Sequence, residues 1–256
     1  MDPGIRSPLV DFFRRGDIAR DVRLQAAQGA LAPRAIDQLA LLLVLLDDGD
    51  PEVARSASAT IDRLPQVPLS GFLANPDVSA EMRAFFAARG IQPSGEAPQT
   101  DEPLIDDGQE EVAEGPPNED DLSTSRRLAQ MNVMQRIKVA MRGRREERSI
   151  LIRDPNRLVS VAVLSSPKVT DAEVESFAKM ANVSDEVLRV IGTNRQWTKN
   201  YGVVAGLVRN PKTPVAISLT LLQRINDKDV RVLATDRNIP EPIRIAARKR
   251  ATASRT

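Results

Sequence analysis

The sequence predicts an all-α protein: two α-solenoid, helical-repeat domains joined by a disordered acidic linker. Three observations predict it. From Arg153 to Arg250 the chain repeats every 28 residues, and a fixed period of that length marks units that bury their apolar faces against their neighbours. Hydrophobic residues are 41% of the chain but aromatics only 3%, so the core is built from Leu, Val, Ile and Ala, which lets helices approach closely. Charge is also segregated. Residues 1–90 hold 10 Arg/Lys and 12 Asp/Glu, residues 91–121 hold 11 acidic residues and no basic one, and residues 122–256 hold 26 basic and 12 acidic.

The first domain, residues 1–90, reads as helices at a loose period. Val22 to Ala27 opens it, and Pro33 to Leu46 is apolar enough for a buried helix. Asp50-Pro51-Glu52-Val53 supplies an N-cap, a Pro at the first helical position and an acid in the first turn. Val53, Ala57, Ile61 and Leu64 continue at helical spacing, and Asn75-Pro76-Asp77-Val78 echoes the opening. Residues 91–121 are rich in Pro, Gly, Asp and Glu. They have too little apolar surface to offset the entropy of ordering, so a disordered linker is expected. A sharper expectation is that this acidic stretch folds back on the basic C-terminal domain.

Residues 122–256 form the second domain. Ser125 to Met141 reads as one amphipathic helix, with Leu128, Met131, Met134, Ile137 and Met141 on a face that caps the first repeat. The repeats follow in register. Arg153, Ala181, Arg209 and Arg237 share the first column, and Val159, Val187, Val215 and Ile243 another. Phe177, Ala205 and Leu233 form a third, Val169, Trp197 and Ile225 a fourth, and Thr170, Thr198 and Asn226 sit where an N-cap is wanted. Each unit is two helices. In the middle unit the first runs from Asp185 to about Gly192, and the second from Thr198 to about Val208, stopped by Asn210-Pro211. Thr170-Asp171-Ala172-Glu173 is a capping box. Trp197 lies in an aliphatic column and is expected in the core. Tyr201 lies in the column of Glu173 and Asp229 and is expected to face solvent.

The string Asp48-Gly49-Asp50-Pro51-Glu52-Val53 resembles the start of short HEAT-like repeats, and Arg209-Asn210-Pro211-Lys212-Thr213-Pro214 is similar to leucine-rich-variant repeats. From Ile137 to Ala247 the chain resembles a bacterial helical-repeat family of this type. Ser149 to Asn156 and Asn194 to Tyr201 carry most of the likeness. The resemblance implies α-solenoids that bind other macromolecules, and it implies no catalytic residues. Some leucine-rich-variant proteins carry a Cys-rich metal cluster before the repeats; with no Cys here, that feature does not carry over.

Chemistry is poorly supplied. There is no Cys and no His, which removes thiolate chemistry, the commonest general base and the commonest transition-metal ligand. Ser165-Ser166-Pro167-Lys168 has a Ser-x-x-Lys spacing but spans a helix end and lacks partner motifs. Asp47-Asp48-Gly49-Asp50 lacks calcium-loop spacing, and no Gly-rich phosphate loop exists. No catalytic residue, metal or cofactor is expected. The apolar run Leu39 to Leu46 falls well short of the roughly 20 residues of a membrane helix, and no secretory signal stands at Met1-Asp2-Pro3-Gly4, so a cytoplasmic, membrane-free protein is expected.

What remains is binding. The expected role is a non-catalytic adaptor or regulatory protein, in which two tethered modules raise each other's local concentration. Its contact set is Arg153, Arg195, Lys199, Tyr201, Arg209 and Arg237, a basic edge for a protein partner with an acidic surface. The alternative is nucleic-acid binding by the basic second domain. Arg142, Arg144, Arg145, Arg148 and Arg248-Lys249-Arg250 favour it, while scarce stacking aromatics and the neighbouring acidic stretch oppose it.

Overall fold

The computed structural model describes residues 3–5, 7–15, 18–32, 34–95, 98, 101–105 and 121–253. Among them are sixteen α-helices, one 3-10 turn and no strand, so the chain is all-α. It divides into two compact units, Met1–Gly143 and Arg144–Thr256. Residues 96–97, 99–100 and 106–120 of the acidic stretch lie outside the described residues. No described helix is long and apolar enough to cross a membrane.

The first unit holds α1 (Pro8–Arg14), α2 (Arg20–Ala27), α3 (Ala35–Leu45), α4 (Pro51–Asp62), α5 (Gln66–Leu73) and α6 (Ala80–Ala87). It also includes α7 (Asp121–Gln130) and α8 (Val133–Arg142), which the sequence places with the second. Helix α3 is its core: Leu39, Ala40, Leu42 and Leu43 are wholly buried, and α1, α2 and α4 pack on it. Asp50 caps α4 as expected, accepting from Glu52 N at 2.8 Å with Pro51 at the first position. The later echo is a turn. Asn75 Oδ1 accepts from Asp77 N at 3.0 Å, and the next helix waits for the Ser79 cap.

The expected helix from Ser125 to Met141 is two helices. Asn132 breaks it by capping α8 reciprocally with Gln135, at 2.9 and 3.0 Å. A side chain that satisfies the orphan N–H groups of a new helix competes with continuing the old one. Leu128, Ile137 and Met141 are nevertheless buried, as the apolar stripe requires.

The second unit holds α9 (Arg145–Leu151), α10 (Arg157–Leu164), α11 (Asp171–Lys179), α12 (Asp185–Thr193), α13 (Tyr201–Arg209), α14 (Val215–Leu222), α15 (Asp227–Leu233) and α16 (Glu241–Ala253). Alternate helices touch: α10 packs on α12, α12 on α14, α14 on α16, and α11 on α13. Close approach is built into the sequence. A Cβ on Gly192 of α12 would stand 2.6 Å from Ile217 Cγ2 of α14, and one on Gly206 of α13 would stand 3.3 Å from Ala178 Cβ of α11.

The 28-residue register relates α10 to α12 and, two repeats apart, α11 to α15 and α12 to α16, but α9, α13 and α14 start two residues late. Asn194 Oδ1 accepts from Gln196 N at 2.9 Å, and the Thr198 hydroxyl donates back to Asn194 O at 2.8 Å, winding Trp197–Lys199 into a 3-10 turn. The next helix then starts at Tyr201 behind an Asn200 cap, not at Thr198. Thr170 and Asn226 do cap their helices. The two extra residues carry through to α14 and are returned before α15. One column thereby changes its burial: Val159, Val187 and Ile243 are buried, but Val215 is 39% exposed and Ile217 takes the third place in its helix.

Candidate partner-binding surface

The six sequence-predicted contact residues all sit at helix ends or turns of the second unit, and all are exposed. Arg153 follows α9 and donates from Nε to Ser149 O at 3.1 Å. Arg195 and Lys199 flank Trp197, and Lys199 Nζ donates to Gln196 Oε1 at 2.8 Å. Arg237 lies in the turn before α16. Arg153 and Arg209 stand eight residues past the first residues of their helices, Arg145 and Tyr201, whereas Ala181 and Arg237 stand ten past theirs, Asp171 and Asp227.

Tyr201 and Arg209 are brought together. They begin and end α13, and both reach Asp229, the third residue of α15. The Tyr201 hydroxyl donates to Asp229 Oδ2, and Arg209 Nη2 donates to Asp229 Oδ1 at 2.6 Å. Asn226, the α15 cap, donates from Nδ2 to both the Tyr201 oxygen and Asp229 Oδ2. The Tyr201 hydrogen bond and the Arg209 charge hold the Asp229 carboxyl below its ordinary value. Partial burial, then the Asp229 hydrogen bond, pushes the Tyr201 phenol above its own.

The same joint occurs earlier, buried. Glu173 is the third residue of α11, behind the Thr170 cap, and Arg148 of α9 grips it through Nε at 3.0 Å and Nη2 at 2.8 Å. The two side chains are 4% and 3% exposed. The column of Glu173, Tyr201 and Asp229 is therefore not uniformly solvent-facing: Tyr201 is 42% exposed, but Glu173 is interred because Arg148 neutralises it.

A surface that the 28-residue alignment hides lies on the even helices. Arg189, Leu219 and Ile245 are the fifth residues of α12, α14 and α16, which pack in that order. Leu219 is 36% and Ile245 54% exposed, and Val215 lies one turn before Leu219. Helix α14 carries no charge and is apolar nearly all round, yet Val215, Ala216, Leu219 and Thr220 face water. An uncharged helix among charged ones was the available signal; strict 28-residue register masked it by assigning Val215 to the core.

Carboxylates in this unit are largely used. Glu175 pairs with Lys179, Glu186 with Arg189, Glu241 with Arg244 and Asp227 with Arg250. Among the described residues no carboxylate reaches ion-pair distance of Arg195, Lys212, Arg231 or Arg237, so the surplus positive charge is displayed at the surface. Among the described residues no group of three or more acidic side chains is arranged to hold a metal ion. Asp48 and Asp50 are engaged instead by Arg23 and Arg20. No family model, no curated protein and no solved structure matches this chain.

Proposed function

We propose that both units are short α-solenoids and that the chain is a non-catalytic, cytoplasmic adaptor whose second unit binds a protein partner with an acidic surface. The observation that carries this reading is the apolar strip of Val215, Leu219 and Ile245 on consecutively packed helices of a cation-rich unit. Exposed apolar side chains that share a face favour a protein contact, and the surrounding cations steer an acidic one. Alternate-helix packing supports the solenoid: in stacked helix pairs, equivalent positions become neighbours. Arg153, Arg195, Lys199, Tyr201, Arg209 and Arg237 form the polar rim of this reading, with Tyr201 and Arg209 partly committed to Asp229.

The test uses three full-length proteins immobilised in nuclease-treated extract: wild type, Leu219→Asp, and the combined Arg153→Glu, Arg209→Glu, Arg237→Glu variant. The reading expects at least one protein enriched by wild type to fall about tenfold with each variant, a loss of about 1.4 kcal/mol. Equal recovery on all three contradicts it. The excess of 26 basic over 12 acidic residues in 122–256 favours a second reading, nucleic-acid binding. Titration with duplex and single-stranded oligonucleotides at two salt concentrations decides that one: several neutralised phosphates give a steep salt dependence, and no binding at low salt eliminates it.

A further inference from the structure

The one described stretch of the acidic segment beyond residue 98 is held to the first unit. Residues 101–105 lie across the start of α3, where Ala35 N donates to Asp101 O at 3.1 Å and Ile36 N donates to Asp101 Oδ1 at 3.3 Å. These are N–H groups that a helix leaves without partners, and the α3 N-cap, Arg34, makes no side-chain cap. Gln38, 1% exposed, holds the rest of the strap by its backbone. Its Oε1 accepts from Leu104 N at 2.8 Å and Ile105 N at 3.2 Å, and its Nε2 donates to Ile105 O at 3.0 Å and Gly29 O at 3.0 Å. Ile105 lies over Gly29, 3.8 Å from where a Cβ would stand. Arg34 Nε is 2.8 Å from Asp37 Oδ2 and 4.0 Å from Asp101 Oδ2.

The arrangement is that of a bound peptide. A buried amide reads the main chain at the bend of Leu104 and Ile105, a helix N-terminus takes one carboxylate, and two aliphatic side chains are half-buried. The strap adds no secondary structure, and Asp101 and Glu102 stay exposed. We propose that this groove is a peptide-recognition site occupied in cis by Asp101–Ile105. A partner protein bearing a segment of the same chemistry, a carboxylate followed three and four residues later by aliphatics, displaces it. The site belongs to the first unit and is independent of the α14 strip. Because the cis segment acts at an effective concentration on the order of millimolar, it sets a threshold that the partner must exceed.

The probe is a fluorescein-labelled peptide with the sequence of residues 98–108, titrated by anisotropy against full-length protein. One variant combines Asp101→Ala, Leu104→Pro and Ile105→Gly, which removes the carboxylate, one donated N–H and one aliphatic contact. The peptide is expected to bind this variant at least about tenfold more tightly than wild type, and adding Gln38→Ala is expected to abolish binding. No binding at about 1 mM peptide, or equal affinity for wild type and variant, overturns the proposal. So does a concentration-dependent wild-type dimer abolished by the strap substitutions, because the groove then serves a second copy. If the variant loses its helical signal, hydrogen exchange of the wild type replaces it. Amides of Ala35, Ile36, Leu104 and Ile105 exchanging together, ahead of Leu41 to Leu43, support a detachable strap; exchange only with global unfolding overturns it.

Discussion

Two joints in the second unit share one design and differ in solvent. Where α9 meets α11, Arg148 clasps Glu173 in the interior; where α13 meets α15, Tyr201 and Arg209 clasp Asp229 at the surface. In both, the carboxylate is the third residue of a helix behind an Asx or Thr cap, so the charge also faces the positive helix end. Geometry alone would rank them alike. Burial separates them, because a charge stranded in the interior costs far more than one returned to water. The inner joint ties α9 to α11, and the outer one ties α13 to α15 while leaving an aromatic and a guanidinium exposed to solvent.

The largest effect belongs to the inner joint. Arg148→Ala should destabilise the protein by about 3–5 kcal/mol, read as a lower urea midpoint, while Arg148→Met with Glu173→Met should recover most of that loss. Equal losses in the single and double variants would break the comparison. Next comes the close approach of α12 to α14. Gly192→Ala gains helix propensity but drives a Cβ to 2.6 Å from Ile217 Cγ2, so a net loss of about 1 kcal/mol is expected, relieved when Ile217→Ala accompanies it.

The outer joint should be weaker and wetter. Arg209→Ala is expected to cost under about 1 kcal/mol, less in high salt. Asp229 has its folded pKa lowered, so its contribution is present above the ordinary carboxylate range and is lost as pH falls through the lowered value. Asp229→Asn should remove that acid dependence from the denaturation midpoint. Asp101 in the first unit sharpens the contrast, because partial desolvation of its carboxyl against the first unit raises its pKa. Its contribution is full at low pH and lost as pH rises through the raised value. Asp101→Asn should therefore flatten a small stability change of opposite sign to that of Asp229.

Helical class and most caps were legible because they are local. Thr170 with Glu173, Asp50 with Pro51 and Asn226 each announce a helix start within four residues. The Asn132 break and the Trp197–Lys199 turn were less legible. In both, an Asn side chain competes with the backbone for the same hydrogen bonds, and the winner depends on packing around it. Strict 28-residue register assigns Val215 to the core, and the two-residue slip moves it to the surface. The column position of Tyr201 predicts its exposure, and it is 42% exposed. Its meeting with Arg209 on Asp229, and the burial of Glu173, depend on which helices pack, and no spacing rule supplies that.

The proposed surface requires equivalent residues of α12, α14 and α16 to be neighbours on one face. The chain has no Cys, so spin labels can be placed cleanly at Arg189→Cys, Leu219→Cys and Ile245→Cys in pairs. Stacked helices lie about 8–10 Å apart, so the 189–219 and 219–245 pairs should both show strong dipolar broadening and the 189–245 pair much less. Broadening strongest for the 189–245 pair, or absent from either adjacent pair, would contradict the stack and the surface built on it.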